Sequence, residues 1–519
     1  MDEDSNQETK RRRGRTAGTP ERSRPVEKFD VVVIGAGVSG IGAAWHLRDA
    51  LPDVTFTVLE ARDALGGTWD LFRYPGVRSD SDLQTYAYAF KPWTSSDSIA
   101  DGDAILRYLD QTVDENDLRR HVRFGHRVRR ISWSADDACW TIEAEAAATG
   151  ETVWFRSWWV IAGTGYYRYD RGHLPDFAGV DRYQGTFVHA QHWPADLDVE
   201  GRRIVVIGSG ATAATLIPAL VDGGARVTML QRSPSYYVSL PRQDPIADAM
   251  RRHLPPERAY AWTRRKNQGT QALFYRLCRW QPDFMKRVLV HDVARRLPDG
   301  YDVGRHFTPR YPPWDQRVCI VPGGDLFRAI SSGRADVVTG VIDSFTEDGI
   351  RTTDGDEIAA DVVVAATGLE VLALGDMQVV VDGVPMPAGE RVVYKSVMLS
   401  DVPNFAYVFG YTNASWTLKV DLACAWICRV IAHMRRTGAT SAVASPDDPD
   451  MPTRSMLDLA AGYLLRAADR VPRQGTGVWS VPKSYRADAR RLLRDPLDDG
   501  ILRFTRAAVR GTRALVPAP

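Results

Sequence analysis

Two glycine-rich hexapeptides carry the first chemical signal in the chain. Gly35-Ala36-Gly37-Val38-Ser39-Gly40 follows the apolar run Val31-Val32-Val33-Ile34, and a helical pattern through Ile41, Ala44, Trp45 and Leu47 comes next. Between a strand and a helix this GxGxxG spacing has a physical meaning. Gly35 makes the turn, Gly37 lets a pyrophosphate approach the backbone, and Gly40 lets the helix pack on the strand. The helix N-terminus then faces the phosphates. Twenty residues after Gly40, the strand Thr55-Phe56-Thr57-Val58-Leu59 ends in Glu60, placed to accept from a ribose hydroxyl. A glycine-rich turn with no ligand is the plainer alternative.

The device recurs. Ile204-Val205-Val206-Ile207 leads into Gly208-Ser209-Gly210-Ala211-Thr212-Ala213, with Ala213 in the third glycine place. Its second strand, Val227 to Leu230, ends in Gln231-Arg232-Ser233 rather than in an acid. An arginine there accommodates a 2′-phosphate, which points to NADP; an exposed arginine at a strand end is also common. Each half closes on a similar strand and turn, Trp159 to Gly165 and Val362 to Gly368. One acid-ended and one arginine-ended fold predict a flavoprotein that binds FAD at the first and NADPH at the second.

Those loops need strands and helices to hold them, and the rest of the sequence can supply both. The 519 residues are 44% hydrophobic and 25% charged, enough for about three domains or subdomains. The expected fold class is α/β: two Rossmann-like dinucleotide-binding domains, the FAD domain discontinuous, with a helical insertion. The expected layout begins with a disordered tail over 1–28, the first segment of the FAD domain over 29–165 and a linker over 166–200. An NADP domain follows over 201–345, interrupted by helices at about 244–305. The second segment of the FAD domain and the C-terminal region take 346–519.

Composition excludes several function classes. Lys+Arg 66 against Asp+Glu 65 leaves a net charge of +1, so no global field recruits nucleic acid or an anionic membrane. No apolar run approaches the eighteen residues or so of a membrane span, and the tail lacks the apolar core of a secretory signal. Five scattered cysteines suit a reducing cytoplasm, and neither CxxC nor a Cys/His cluster suggests a metal. Cys424 and Cys428, four apart, read as small apolar residues on one helix face. The C-terminal Arg503, Arg506, Arg510 and Arg513 lie among apolar residues, read either as packing or as a weak peripheral membrane contact.

Two further segments narrow the family. Gly66-Gly67-Thr68-Trp69, Tyr74-Pro75-Gly76 and Asp80 keep one fingerprint in full. Gly185, His189 and Trp193 keep a second, FxGxxxHxxxW, with Tyr183 in the phenylalanine place. With the two nucleotide loops, these resemble the type I Baeyer–Villiger monooxygenases. Trp69 to Gly76, Pro313 to Arg317 and Gly410 to Lys419 are similar to the ethionamide-activating monooxygenase subgroup.

The resemblance implies that NADPH reduces FAD, O2 adds at flavin C4a, and the resulting peroxyflavin converts a small hydrophobic ketone to an ester or lactone. A sulfide is a further implied substrate, and an N- or S-oxygenating flavin monooxygenase is the alternative. By position Arg317 matches the family's active-site arginine, whose charge favours a peroxide anion and a tetrahedral adduct. Asp80 would pair with it and orient it, or else cap a helix beginning near Ser81. Thr68, Trp69 and Tyr86 would line the flavin, and Arg62 would lie along the adenosine part of FAD. His189 and Trp193 would sit at a hinge between the domains, although a lone histidine is more often structural. Thr412 and Asn413 would cap the helix that follows them. Gln316 stands where some relatives have lysine, so recognition of NADPH falls to Arg232 and Ser233.

Overall fold

The computed structural model describes residues 26–506, so the expected tail up to residue 25, and Arg510 and Arg513, lie outside the described residues. The first sheet is built around Glu27–Ile34, which runs parallel to Phe56–Leu59 on one side and to Glu151–Ala162 on the other. Val31, Val32 and Val33 are wholly buried because both faces of a parallel sheet are covered. Cys139–Ala146 and His126–Ser134 extend the sheet in antiparallel fashion. Two strands from far along the chain join it: Gln378–Val381 beside His126–Ser134, and Phe405–Tyr407 beside Glu151–Ala162. This sheet is therefore discontinuous in sequence.

The second sheet has five parallel strands in the order Ala335–Thr339, Arg226–Gln231, Arg203–Ile207, Val362–Ala365, Thr186–His189. Two of them fall outside the expected 201–345 segment. Thr186–His189 sits in what reads as linker, since its four residues include one exposed and two half-buried positions. Val362–Ala365 is buried on both faces and needs neighbours on both edges, which Arg203–Ile207 and Thr186–His189 provide. The folded chain also begins before Phe29: Glu27 pairs in register with Phe155 and binds Arg123 through both carboxylate oxygens at 2.5 and 2.6 Å.

The helical insertion comprises Pro245–His253, Pro256–Trp280 and Pro282–Ala294, each with proline in its first turn, where the missing N–H costs no bond. Asp244 caps the first by accepting from the N–H groups of Ile246 and Ala247 at 3.0 and 3.1 Å. The insertion leaves and re-enters through a parallel pair, Tyr237–Leu240 with Cys319–Pro322, so it extends through the loop that carries Arg317. Its longest helix lies on the short helix Leu83–Tyr86. Arg264 donates to the carbonyls of Gln84, Thr85 and Ala87 at 2.7–3.2 Å, and Asn267 donates to Asp82 at 2.7 Å.

Both glycine turns are fixed by packing. Gly35 and Gly208 have φ of +98° and +133°, a region glycine enters without steric cost. A Cβ on Gly40 would fall 1.8 Å from the Gly35 carbonyl oxygen, whereas Ala213 is accommodated with no exposure. Gly40→Ala is expected to lower the thermal unfolding midpoint sharply. Ala213→Gly, which loses about 1 kcal/mol of helix propensity, should shift it by only about 2–4 °C. Thermal melts of the two variants check this asymmetry.

Candidate functional site

A cavity of about 1020 Å³ runs between the two glycine turns. It brings together most of the residues singled out by sequence. Gly35, Gly37, Glu60, Arg62, Thr68 and Trp69 line one end; Gly208, Gly210, Thr212, Arg232 and Ser233 line the other. Asp80, Tyr86 and Arg317 also line it. Gly40, Ala213, His189 and Trp193 do not.

The end beside the first sheet is tightly bonded. Glu60, 5% exposed, accepts from the Ala36 N–H at 2.6 Å and the Arg62 N–H at 2.9 Å, so its carboxylate fixes the glycine loop. Burial raises its pKa above the usual 4.5, with these bonds working against the shift. Each oxygen keeps a further lone pair for a ribose hydroxyl. Arg62 holds Asp70 through its guanidinium, and Thr68 Oγ1 lies 3.2 Å from the Tyr169 hydroxyl. Trp69 Nε1 donates to the Tyr86 hydroxyl at 2.6 Å.

Two features fit these turns to dinucleotides. The helices Val38–Ala50 and Ala211–Asp222 begin at Gly37 and Gly210 with no side-chain cap and no acid in the first turn. Their free N–H groups and positive dipole ends are suited to phosphate. A Cβ on Gly210 would meet nothing within 4 Å. Packing therefore does not demand glycine there; close approach of a ligand would. FAD fits the acid-ended turn and NADPH the arginine-ended one.

Between the ends, Arg317 Nη2 lies 3.0 and 3.2 Å from the two oxygens of Asp80. The side chains are 35% and 33% exposed. Asp80 is the main cause of a raised Arg317 pKa, ahead of the opposing effect of desolvation, so the guanidinium stays charged. The Asp80 loop is anchored by Arg78, which pairs with Asp325 and donates to the Ala214 carbonyl. The Arg317 loop is held by an N–H bond from Ala460 to the Asp315 carbonyl at 2.7 Å, and by an Arg279–Asp315 ion pair. Trp314 adopts φ +69°, a strained conformation for a bulky residue, with its ring against Phe274 and Tyr275.

The expected caps lie on other residues. Asp82, not Asp80, caps Leu83–Tyr86, accepting from the Thr85 N–H at 3.0 Å, because Asp82 immediately precedes the helix. Neither Thr412 nor Asn413 caps Trp416–Thr437, whose N-cap is Ser415; Asn413 instead donates to the Lys483 carbonyl at 3.0 Å. His189 Nδ1 accepts from the Gln191 N–H at 3.1 Å, and burial lowers its pKa, so its ring is a neutral packing element outside the cavity. Trp193 packs on the core of the second sheet.

The cavity also contains groups that sequence reasoning missed. Tyr166 and Tyr167 share a 2.6 Å hydroxyl contact, and Tyr166 stacks on Trp416 at 5.4 Å and 7°. With Tyr463 they form the electrostatic surroundings of Arg317, and burial keeps all three phenols neutral by raising their pKa values. Tyr166 and Tyr167 directly follow the turn that ends at Gly165, which was a usable signal. Arg466, a further cation lining the cavity, feels Arg232; burial first and that like charge in part lower its pKa, against Glu370. Nothing local in the sequence marks Tyr463 or Arg466.

Of the five cysteines, all free, Cys319 alone lines the cavity, and burial pushes its thiol up to about 12. A dithiol exchange site would need a second cysteine beside it. Among the described residues no group of three or more His, Cys, Asp or Glu could hold a metal ion, and no helix is long and apolar enough to cross a membrane.

Comparison with known proteins gives concordant likenesses. The family described as pyridine nucleotide-disulphide oxidoreductase matches residues 32–245. The chain is 48% identical over 490 residues to MymA of Mycobacterium tuberculosis, covering 93% of this chain and 98% of the relative. It is 45% identical over 482 residues to the FAD-containing monooxygenase EthA of the same organism, with 92% and 98% covered. Among solved structures, NADP-bound oxidized steroid monooxygenase aligns with a TM-score of 0.74 at 22% identity, covering 92% of this chain and 100% of that one. An open cyclohexanone monooxygenase aligns at 0.68 and 23%, covering 81% and 91%. At such identities these two structures speak for the fold.

The open space at Gly210 yields a direct test. Gly210→Ala should leave thermal unfolding and FAD content unchanged while weakening NADP+ binding by about tenfold or more, a loss of about 1.4 kcal/mol. Titration calorimetry on the FAD-loaded protein measures it.

Proposed function

The chain belongs to the FAD-containing monooxygenases, and on that premise we propose that it uses NADPH and O2 to insert one oxygen atom beside a ketone carbonyl. The product is an ester or lactone, with water as the second product. The observation that carries this reading is the Asp80–Arg317 pair at 3.0 Å, inside a cavity reached by both glycine turns. FAD would occupy the first turn and NADPH the second, with Arg232 and Ser233 at the 2′-phosphate and Arg466 as a further cation nearby. Bound FAD supplies the activation of O2 once NADPH has reduced it.

The protein's role is to hold charge and shape around that chemistry. Oxygen insertion beside a carbonyl passes through negative oxygen, and a fixed cation favours it. At about 4 Å and an effective dielectric near 20 the attraction is roughly 4 kcal/mol before desolvation. Asp80 holds the guanidinium in place and balances its charge before substrate enters. Tyr166, Tyr167 and Tyr463, kept neutral by burial, surround that cation without adding charge; of the mutually bonded Tyr166 and Tyr167 hydroxyls, one keeps a proton to donate elsewhere. Trp69 and Tyr86, bonded to each other, form the wall on the flavin side.

A sulfide, oxidised without a negative oxygen on the substrate, has less need of the cation and would be a second substrate class. Five thiols with no disulfide support a reducing, cytoplasmic setting.

Arg317→Ala separates the two reactions. Ketone turnover should fall by about 10²–10³, the usual loss on removing one charge-stabilising donor, while sulfide oxidation falls less than about tenfold. Equal losses for ketone and sulfide, or an undiminished ketone rate, would contradict the assignment. Asp80→Asn should reduce ketone kcat with FAD content unchanged, and parallel steady-state assays read both variants.

A further inference from the structure

We propose that the outward face of the helical cap is a membrane-docking surface for anionic phospholipid. In Pro256–Trp280 the positions 258, 262, 265, 269, 273, 276 and 280 fall on one face, by steps of three and four. The opposite face, which includes Arg264, Asn267 and Cys278, is buried against the protein. The outward face carries Trp262 at 54% exposure, Leu273 at 56% and Trp280 at 74%. The adjoining helix Pro282–Ala294 adds Phe284 at 54% and Val288 at 43%. Exposed aromatic and aliphatic side chains gathered on two consecutive helices mark an interaction surface.

Charge identifies the partner. Residues 245–294 hold ten Lys and Arg against four Asp and Glu, in a chain whose total is +1. Arg251, Arg264, Lys266 and Arg279 are engaged by acids within the protein. Arg258, Arg265, Arg276 and Arg287 are exposed and stand apart from those ion pairs. Arg265 lies over the Trp262 ring at 5.7 Å. Two of the four acids, Asp248 and Asp292, are paired, and Glu257 and Asp283 sit in first helical turns, where they offset the helix dipole.

Arginine interleaved with tryptophan, phenylalanine and leucine is the composition of a helix that lies in a lipid interface. A second copy docked through this face by two-fold symmetry would set arginines against arginines. Phosphate headgroups complement them, and the apolar side chains reach the acyl boundary. The inner face of the same long helix rests on Leu83–Tyr86, whose Tyr86 lines the cavity. Docking would thus set the cavity wall close to the phase where apolar ketones partition. The docking itself stands independently of the oxygenation chemistry.

Co-sedimentation of the full-length, FAD-loaded protein with phospholipid vesicles tests this. The protein should bind vesicles of equimolar phosphatidylcholine and phosphatidylglycerol at least about tenfold more tightly than phosphatidylcholine alone, and high salt should release it. Two paired variants, Trp280→Ser with Phe284→Ser and Arg265→Glu with Arg276→Glu, should each lose about tenfold in vesicle affinity. Their FAD content and sedimentation coefficient should match the parent. A parent protein left in the supernatant, or variants that bind as it does, would overturn the proposal. So would variants with a lower sedimentation coefficient, which would make this face a contact between copies.

Discussion

A permanent positive charge must be kept in a cavity without collapsing onto a wall, and the Asp80–Arg317 pair meets that constraint. The partners lie 237 positions apart on loops that belong to different regions of the fold. Each loop is braced separately: Arg78 on Asp325 for one, Ala460 and Arg279 on Asp315 for the other. A partly solvated ion pair contributes only about 0–1 kcal/mol to stability. Its value here is positional, and the strained Trp314 backbone three residues before Arg317 shows how closely that loop is determined. The surrounding phenols, neutral by burial, add no competing charge.

The two nucleotide folds use the same turn under different local demands. Gly40 is required by the Gly35 carbonyl of its own turn, whereas Ala213 fills the corresponding place without conflict. Gly210 faces open space, so its requirement comes from what approaches it. Helix ends without side-chain caps complete the pattern: their N–H groups are available because no side chain of the protein caps them. Distinguishing packing glycines from ligand-facing ones turns a sequence motif into two separable physical roles.

The glycine turns, Glu60 and Arg232 were legible because strand, turn and helix signals are local and lie within about thirty residues. The duplication of the nucleotide fold was legible as well, from the repeated closing strand and turn. Arg317 and Asp80 became candidates only through family resemblance, since no spacing rule joins residues so distant. The second sheet exceeded its expected bounds because Thr186–His189 is short and half exposed, and only pairing with Val362–Ala365 reveals it as a strand. Asp82 displaced Asp80 as a cap by a two-residue shift of the helix start, an ordinary error in boundaries read from sequence. Tyr463 and Arg466 come from a segment whose place in the cavity is set by long-range packing, so the sequence alone carried no sign of them.

The function proposed for this cavity is the transfer of one atom of O2 to a ketone. Turnover of an apolar ketone under ¹⁸O2, with NADPH and FAD-loaded protein, tests it most directly by mass spectrometry of the product. One labelled oxygen per ester or lactone, formed in step with NADPH consumption, is the predicted result. Unlabelled ketone recovered intact, with the oxygen appearing as hydrogen peroxide, would contradict it.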